Sequence, residues 1–195
     1  SVHPGFVKYL RDMGYECYSD SEMYQAFDIC YDYDIFDFMT DYLKAPEKLS
    51  RWLEEVYRQD MVFPKNYIKL RSFENHDQKR LRSQVRDETH FMQMIALNFF
   101  LKGPAFIYAG QEHQVMHAPS LFENDLVPWN PEQSIESVIK RLTSLKKQPI
   151  FIHGNFHLHH HKDVAVMSYQ YQNQYLVGIF NLEPQKEVNV PLIDG

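Results

Sequence analysis

A histidine and an aspartate stand side by side near the middle of the chain, just after a short run with the composition of a β-strand. The run covers residues 67–73, and the sequence continues Glu74, Asn75, His76, Asp77. Many α/β enzymes hold their chemistry at a strand end, because rigid elements fix the loop while solvent reaches it. A neutral imidazole both donates and accepts hydrogen bonds, which suits the hydroxyl groups of a ligand. Taken without its flanking motifs, the pair is more often a capping aspartate beside a hydrogen-bonded histidine at a strand-to-helix turn.

The flanking residues predict alternating helices and strands. Helices are predicted where apolar residues recur at helical spacing, and strands where strand-forming residues make short runs. The predicted helices cover residues 6–13, 35–43, 46–58, 87–101 and 131–147, and the predicted strands cover residues 26–33, 67–73 and 105–109. Strands separated by helices indicate right-handed crossovers and a parallel sheet.

The pattern changes after Gln148 and Pro149, where short strands separated by polar stretches follow one another. These strands are predicted at residues 151–156, 164–171, 175–180 and 187–190. Gln172 and Asn173 stand between two alternating runs, which is typical of a hairpin. The end of the chain is therefore predicted to be a small antiparallel β module.

Composition excludes several classes of protein. A chain of 195 residues with 44% hydrophobic and 24% charged residues is globular in composition. The net charge of -6 argues against a nucleic-acid partner, which would need a basic surface. No apolar run reaches the ~18 residues of a membrane span, so we expect no membrane partner. Cys17 and Cys30 lack the spacing of a metal site and are interpreted as free buried thiols.

Two segments, in order along the chain, resemble motifs of the α-amylase family of glycoside hydrolases. Residues 73–77, FENHD, resemble the family's F-x-x-x-H-D motif after the seventh barrel strand, with two residues in place of three between Phe73 and His76. Residues 103–112, GPAFIYAGQE, are similar to its eighth-strand segment, although Pro104 falls one place earlier than usual and puts the local loop geometry in question. Residues 1–6 resemble the stretch after the fifth strand, and residues 121–122 and 127–129 resemble the loop before the last barrel helix.

This resemblance implies a fold of the α/β class. Residues 1–148 would be the C-terminal portion of a TIM (β/α)8 barrel, about strands 6 to 8. Residues 149–195 would begin a C-terminal all-β domain, a partial antiparallel β-sandwich. The start at Ser1, with no lead-in to the first helix, fits a piece of a longer chain. Open sheet edges leave backbone groups unpaired, so the piece would need the missing barrel half or self-association to cover them.

The resemblance also implies a function and roles for single residues. The parent protein would be a retaining hydrolase of α-glucans or maltooligosaccharides, a class that uses a carboxylate nucleophile and a carboxylic acid. Asp77 would be a third carboxylate that stabilises the transition state, and His76 would bind a hydroxyl of the same sugar ring. The nucleophile and the acid would lie upstream of Ser1, so the chain alone is expected to be inactive. The alternative is a non-catalytic amylase-like protein that binds glycans or a protein partner.

Neighbouring residues have less specific interpretations. Asn75, Gln111 and Glu112 could contact substrate, although a structural role is favoured for each of them, as it is for Glu74. Lys79 and Arg80 could line outer subsites or form a solvated helix start. Aromatic residues that could stack on sugars, but are more often part of a core, are Tyr108, Phe122 and Trp129.

Two clusters could suggest metal sites, and neither interpretation is favoured. The acidic and aromatic run at residues 31–42 could offer carboxylates to Ca²⁺, but surface carboxylates are expected there. The histidines at positions 157, 159, 160 and 161 could bind a metal, but a solvated turn between two strands is preferred. No metal or cofactor is therefore predicted within this chain, whereas Ca²⁺ could bind the upstream part of the parent.

Overall fold

The computed structural model describes residues 4–159 and 164–183. Its α-helices are α1 (Pro4–Asp12), α2 (Asp20–Met23), α3 (Phe36–Lys44), α4 (Leu49–Val62), α5 (Glu88–Phe100), α6 (Glu136–Lys146) and α7 (Pro149–His153). Its strands are β1 (Cys30–Tyr31), β2 (Lys69–Leu70), β3 (Asn155–His159), β4 (Ala165–Tyr171) and β5 (Gln174–Phe180). Single 3₁₀ turns lie at Pro46–Lys48, Leu81–Ser83, Gln111–His113 and Pro131–Gln133.

Three segments pair side by side in parallel, as predicted from their alternation with helices. Strand β1 pairs with β2, and Arg71 just beyond β2 bridges to Ala105. The Arg71 N–H donates to the Pro104 carbonyl at 2.9 Å, and the Phe106 N–H donates to the Arg71 carbonyl at 2.8 Å. Pro104, although displaced relative to the family motif, therefore supplies a ladder acceptor.

The parallel strands are shorter than predicted. The run at residues 26–33 forms only the two-residue β1, and the run at residues 105–109 contributes a single bridge through Ala105. Within the described residues each of these two segments has a strand neighbour on one side only. Strand pairing, and not composition, sets how far a ladder extends, so the predictions of length were wrong.

Aromatic stacking organises the core around α3, α4 and α5. The rings of Tyr42 and Trp52 stack with centroids 5.6 Å apart, and Phe73 meets Trp52 edge-on at 5.7 Å. Helix α5 is apolar around most of its circumference, and its side chains Phe91 and Met94 are completely buried. Asp87 begins this helix because its carboxylate accepts a hydrogen bond from the His90 N–H.

The antiparallel module has the order β3–β4–β5, which confirms the predicted antiparallel sheet. The predicted turn at Gln172 and Asn173 is also confirmed, with Tyr171 opposite Gln174 across it. Gln172 has a φ of +53°, as two-residue hairpins require. The predicted strand at residues 187–190 lies outside the described residues.

Two predictions for the start of this module were wrong. The run at residues 151–156 begins as helix α7, because Pro149 at the first helical position is pre-organised for a helix; the strand starts only at Asn155. His157 and His159 lie within β3 and not in a turn, and His159 Nε2 is 2.8 Å from Ser168 Oγ. Positions 160 and 161 lie outside the described residues.

Phe100, at the end of α5, joins the helical part to the β module. Its ring makes edge contacts with Phe151, Tyr169 and Phe180 at centroid distances of 5.2, 5.6 and 5.5 Å. Gly178 makes room for this ring, because a Cβ there would lie 2.9 Å from two of its atoms. Among the helices that the structure describes, none is both long and apolar enough to cross a membrane.

Candidate active site

The parallel pairing brings three chain segments to one edge of the sheet. The carboxyl ends of parallel strands meet at the same edge, where α/β folds place their ligand sites. Tyr31 ends β1, His76 and Asp77 follow β2, and Tyr108 follows the bridge at Ala105. The predicted site residues therefore share this edge with side chains from the two neighbouring segments.

His76 and Asp77 are in contact and open to solvent. His76 Nε2 lies 3.3 Å from Asp77 Oδ2, and the two side chains are 56% and 52% exposed. The preceding residues Phe73, Glu74 and Asn75 are all buried. The chain therefore emerges from the core immediately before this pair and presents both polar groups outward.

Asn75 fixes the backbone of this turn. Its side-chain oxygen accepts a hydrogen bond from the Asp77 N–H at 2.8 Å, and its amide nitrogen donates to the Tyr33 hydroxyl at 2.8 Å. Asparagine commonly holds a turn through its own side chain in this way. Burial raises the pKa of Tyr33, the bond from Asn75 opposes that rise, and the nearby Asp77 carboxylate adds to it.

Tyr33 is a site residue that the sequence analysis missed. It comes from the segment after β1, and its ring stacks on Tyr31 with centroids 5.4 Å apart and planes 14° from parallel. The signal was present in the alternation of the run YDYD, since residues 31 and 33 would share one face of the predicted strand. The partner, Asn75, becomes evident only from the pairing of β1 with β2.

Glu74 and Arg80 form a buried ion pair behind the turn. Arg80 Nη1 donates to Glu74 Oε1 at 2.9 Å, and the Leu81 N–H donates to Oε2 at 2.6 Å. Burial raises the pKa of Glu74, although these bonds oppose the rise. Glu74 is therefore structural, as favoured. Both interpretations of Arg80 were wrong, because its side chain is buried; Lys79 is exposed.

Arg80 also ties this turn to the third segment. Its Nε donates to the His117 carbonyl at 2.9 Å, and its guanidinium lies 4.3 Å from the centre of the Tyr108 ring. Such a cation–π contact stabilises the arrangement more strongly when it is desolvated. The loops after β2 and after Ala105 are thus held together by one buried side chain.

Gln111 and Glu112 lie in a tight turn at the same edge. Gly110 has a φ of +94°, and a Cβ there would lie 2.9 Å from Val127 Cγ1. The Glu112 carboxylate accepts a hydrogen bond from the Gly110 N–H at 2.9 Å, so it holds the loop. Gln111 is buried, and neither atom of its amide has a hydrogen-bond partner in the part of the chain that the structure describes.

The sequence predicted surface carboxylates in the acidic run at residues 31–42. This prediction was wrong for Asp32 and Asp34, which pair with buried cations. Both oxygens of Asp32 accept from Arg71 Nη1, at 2.9 and 2.8 Å. Asp34 accepts from Lys69 Nζ at 2.8 Å, and Lys69 also donates to Asp20. Burial raises the pKa of Asp34, and Asp32 adds to that rise. These carboxylates neutralise buried cations and are not free for Ca²⁺.

The interpretation of Phe122 and Trp129 as core residues was wrong. Phe122 is 94% exposed and Trp129 is 55% exposed. Their loop is nevertheless ordered by Asp125, whose carboxylate is 2.8 Å from His117 Nε2 and accepts from the Ser120 N–H at 2.8 Å. The bond from Ser120 and the one from His117 lower the pKa of Asp125. A fixed loop thus displays two aromatic faces to solvent.

Within residues 4–159 and 164–183, no group of three or more His, Cys, Asp or Glu side chains is placed to hold a metal ion. The site edge itself is instead built from hydrogen bonds and buried ion pairs.

Comparisons with known proteins relate both parts of the chain to α-amylases. The family model described as bacterial α-amylase C-terminal domain matches residues 156–195. An α-amylase from Lactobacillus plantarum is 33% identical with a TM-score of 0.89, over 95% of this chain and 44% of that one. A maltogenic α-amylase from Thermotoga neapolitana is 27% identical with a TM-score of 0.78, over 90% of this chain and 44% of that one.

A third structure shows the same fold at lower identity. The maltogenic amylase from S. marinus is 16% identical with a TM-score of 0.70, over 96% of this chain and 30% of that one. No curated protein sequence gives a significant match. The chain thus spans less than half the length of each structure it matches here.

Proposed function

Because the chain belongs to the α-amylase family, we propose that it forms one wall of the active site of a retaining α-glucan hydrolase. Residues 1–148 would supply about strands 6 to 8 of a catalytic (β/α)8 barrel. Residues 149–195 would begin the C-terminal all-β domain. The parallel pairing of β1, β2 and the segment at Ala105 supports the barrel assignment.

One observation carries the proposal: an exposed carboxylate and imidazole in contact, held by a buried turn at the carboxyl end of a parallel strand. Asp77 would accept hydrogen bonds from hydroxyls of the reacting sugar ring and favour its distortion toward an oxocarbenium-like state. Such contacts accelerate the reaction only to the extent that they tighten in the transition state. His76 would bind a hydroxyl of the same ring.

The other two carboxylates of a retaining mechanism are not assigned to this chain. We propose that the nucleophile and the acid come from the part of the parent that the chain does not span, since it covers only 44% of its L. plantarum relative. The chain alone would then be inactive, because a retaining glycosidase needs both groups about 5–5.5 Å apart.

Contacts farther along the substrate are proposed for the loop that displays Phe122 and Trp129. Apolar faces of sugar rings pack against aromatic rings, and these two rings are exposed on an ordered loop. Gln111 would contact substrate only if its buried amide becomes accessible, whereas Asn75 and Glu112 would act through the backbone they hold.

The experiment that tests the proposal is the substitution Asp77→Asn in the complete protein. The amide has nearly the shape of the carboxylate but carries no charge. We expect kcat on maltotriose to fall by about 10²- to 10³-fold, which is the size of effect seen when a transition-state stabilising group is lost. Unfolding temperature should stay within a degree or two, since Asp77 is exposed. Near-normal turnover would overturn the assignment.

A further inference from the structure

A second cleft lies at the opposite end of the parallel strands from His76 and Asp77. It has a volume of about 860 Å³ and is bounded by the residues before β2, the turn before Ala105, helix α7 and strand β3. Tyr67 and Gly103 contribute to one side, and Phe156 and Tyr169 to the other. It therefore separates the helical part from the β module, and it shares no residue with the proposed active site.

The lining of this cleft is strongly basic, although the chain as a whole has a net charge of -6. Four lysines and two histidines face a single carboxylate, that of Asp60; they are Lys65, Lys102, Lys146, Lys147, His153 and His157. Low-dielectric walls lined by one sign of charge concentrate counter-ions of the opposite sign. The cleft is thus suited to an anion.

A buried hydroxyl in this lining has no partner. Tyr169 is 1% exposed, and its oxygen makes no hydrogen bond within the residues that the structure describes. Burial raises the pKa of Tyr169, so the group is a neutral O–H donor. Tyr67 is also 1% exposed. Its hydroxyl oxygen is near the Asp60 carboxylate but is not hydrogen-bonded to it. An unpaired buried donor is costly, which indicates a missing acceptor.

Lysine ammonium groups stand over the rings of both tyrosines. Lys102 Nζ lies 3.8 Å from the ring centre of Tyr67, and Lys146 Nζ lies 5.8 Å from that of Tyr169. Lys146 Nζ donates to the Leu101 carbonyl at 2.5 Å, and Lys102 Nζ lies 3.1 Å from Asp60 Oδ1. Each ammonium carries three N–H donors in all. The hydroxyl donors and the positive charges therefore occupy the same part of the cleft.

We propose that this cleft binds a small molecule that bears a phosphate group. Tyr169 would donate to one phosphate oxygen and Lys146 Nζ to another, and Lys102 and Lys147 would neutralise the charge. The aromatic side chains Phe151 and Phe156 are themselves buried, so the recognition is by charge and hydrogen bonds and not by stacking on a neutral sugar. A volume of 860 Å³ exceeds that of phosphate and leaves room for an attached sugar-sized group.

Isothermal titration of the complete protein at constant ionic strength tests this proposal, with inorganic phosphate and a hexose phosphate as the two probes. We expect saturable binding with a Kd on the order of millimolar or tighter for at least one probe. Tighter binding of the hexose phosphate would identify a sugar phosphate as the ligand, and tighter binding of inorganic phosphate would identify the free ion. Absence of saturable binding by both probes would overturn the proposal.

Matched variants locate the binding. Tyr169→Phe removes only the hydroxyl and should weaken the affinity about 10-fold, as expected for a hydrogen bond to a charged group. Lys147 follows directly after α6 and lines the cleft, so Lys147→Gln should weaken phosphate affinity several-fold. Lys140 lies on α6 outside the lining, so Lys140→Gln should leave the affinity unchanged. Because Lys147 is exposed, its variant remains informative even if Tyr169→Phe unfolds the protein. Equal losses in Lys147→Gln and Lys140→Gln would overturn the proposal.

Discussion

The side-chain oxygen of Asn75 accepts a hydrogen bond from the backbone N–H of Asp77 at 2.8 Å. This bond turns the chain outward at the point where it leaves the core, so that the Asp77 carboxylate reaches solvent while Asn75 stays buried. The aspartate is thereby held by a neighbour whose own orientation is fixed by the Tyr33 hydroxyl. Precise placement of this kind is what an electrostatic role in catalysis requires.

The substitution Tyr33→Phe should impair catalysis without unfolding the protein. It removes the hydrogen bond to Asn75 and leaves the stack on Tyr31 intact. We expect kcat to fall by about 3- to 30-fold in the complete protein, since one net hydrogen bond is worth roughly 1 kcal/mol and placement of Asp77 loosens. The exposed Tyr175 in β5 provides a matched control, because Tyr175→Phe should leave kcat unchanged. Equal kcat values for Tyr33→Phe and wild type would show that Asn75 does not depend on Tyr33.

Removal of the buried carboxylate Glu74 should be strongly destabilising. Glu74→Ala leaves Arg80 charged and buried without its partner, which costs about 3–5 kcal/mol in comparable pairs. Asp12→Ala, which breaks the exposed pair with Lys8, should cost no more than about 1 kcal/mol. Urea unfolding of both variants provides the measurement. Similar losses in the two would contradict the structural role assigned to Glu74.

Lys146 should make stability depend on pH in the alkaline range. Burial, and then the charge of Arg71, lowers its pKa from 10.5 to about 7. Between these two values the unfolded chain binds a proton that the folded chain does not, so the free energy of unfolding rises with pH across this window. Lys146→Met removes that contribution. The stability advantage of the variant over wild type should therefore shrink between pH 7 and pH 9.5, by an amount on the order of a few kcal/mol.

Urea unfolding at several pH values across this window measures the effect, and Lys140 supplies the control. Lys140 pairs with Glu136 on the surface of the same helix. Lys140→Met should therefore differ from wild type by a constant amount at every pH. A difference between Lys146→Met and wild type that also stays constant would contradict the lowered pKa.

Phe122→Ala should affect long substrates selectively. The ring is 94% exposed, so its loss should leave the unfolding temperature unchanged. If it stacks on a sugar, KM should rise about 2- to 10-fold for long maltooligosaccharides, in line with about 0.5–1.5 kcal/mol for an aromatic contact. Phe27→Ala, another exposed phenylalanine, serves as the control. An unchanged KM across all chain lengths would remove Phe122 from the substrate path.

Sequence reasoning reached the β module and the parallel order, because both follow from local patterns. The alternating run that became β4 and β5, with its turn at Gln172, needs no long-range information. Strand lengths were overestimated, because the ladder at Ala105 depends on a neighbour that no local pattern reveals. Helix α7 was predicted as a strand because a short apolar run fits both states, and Pro149 decides between them.

At the site, the sequence reveals the pair His76 and Asp77 but not the ion pairs buried near it. His76 and Asp77 were identified from a motif, and their role stays a prediction. The ion pair between Asp32 and Arg71 was missed, although the spacing carried a signal: Lys69 and Arg71 are two residues apart, at β2 and just beyond it, and Asp32 and Asp34 are two residues apart just after β1. Only the register, with Tyr31 opposite Leu70, brings these charges together.

The most direct test of the central claim compares two ligands on Asp77→Asn in the complete protein. One is maltotriose, and the other is a cationic maltooligosaccharide inhibitor that mimics the oxocarbenium-like state. If Asp77 stabilises the transition state, the variant should bind the inhibitor about 100-fold or more weakly while its affinity for maltotriose changes by less than about 10-fold. Equal losses for the two ligands, or none for the inhibitor, would contradict the account.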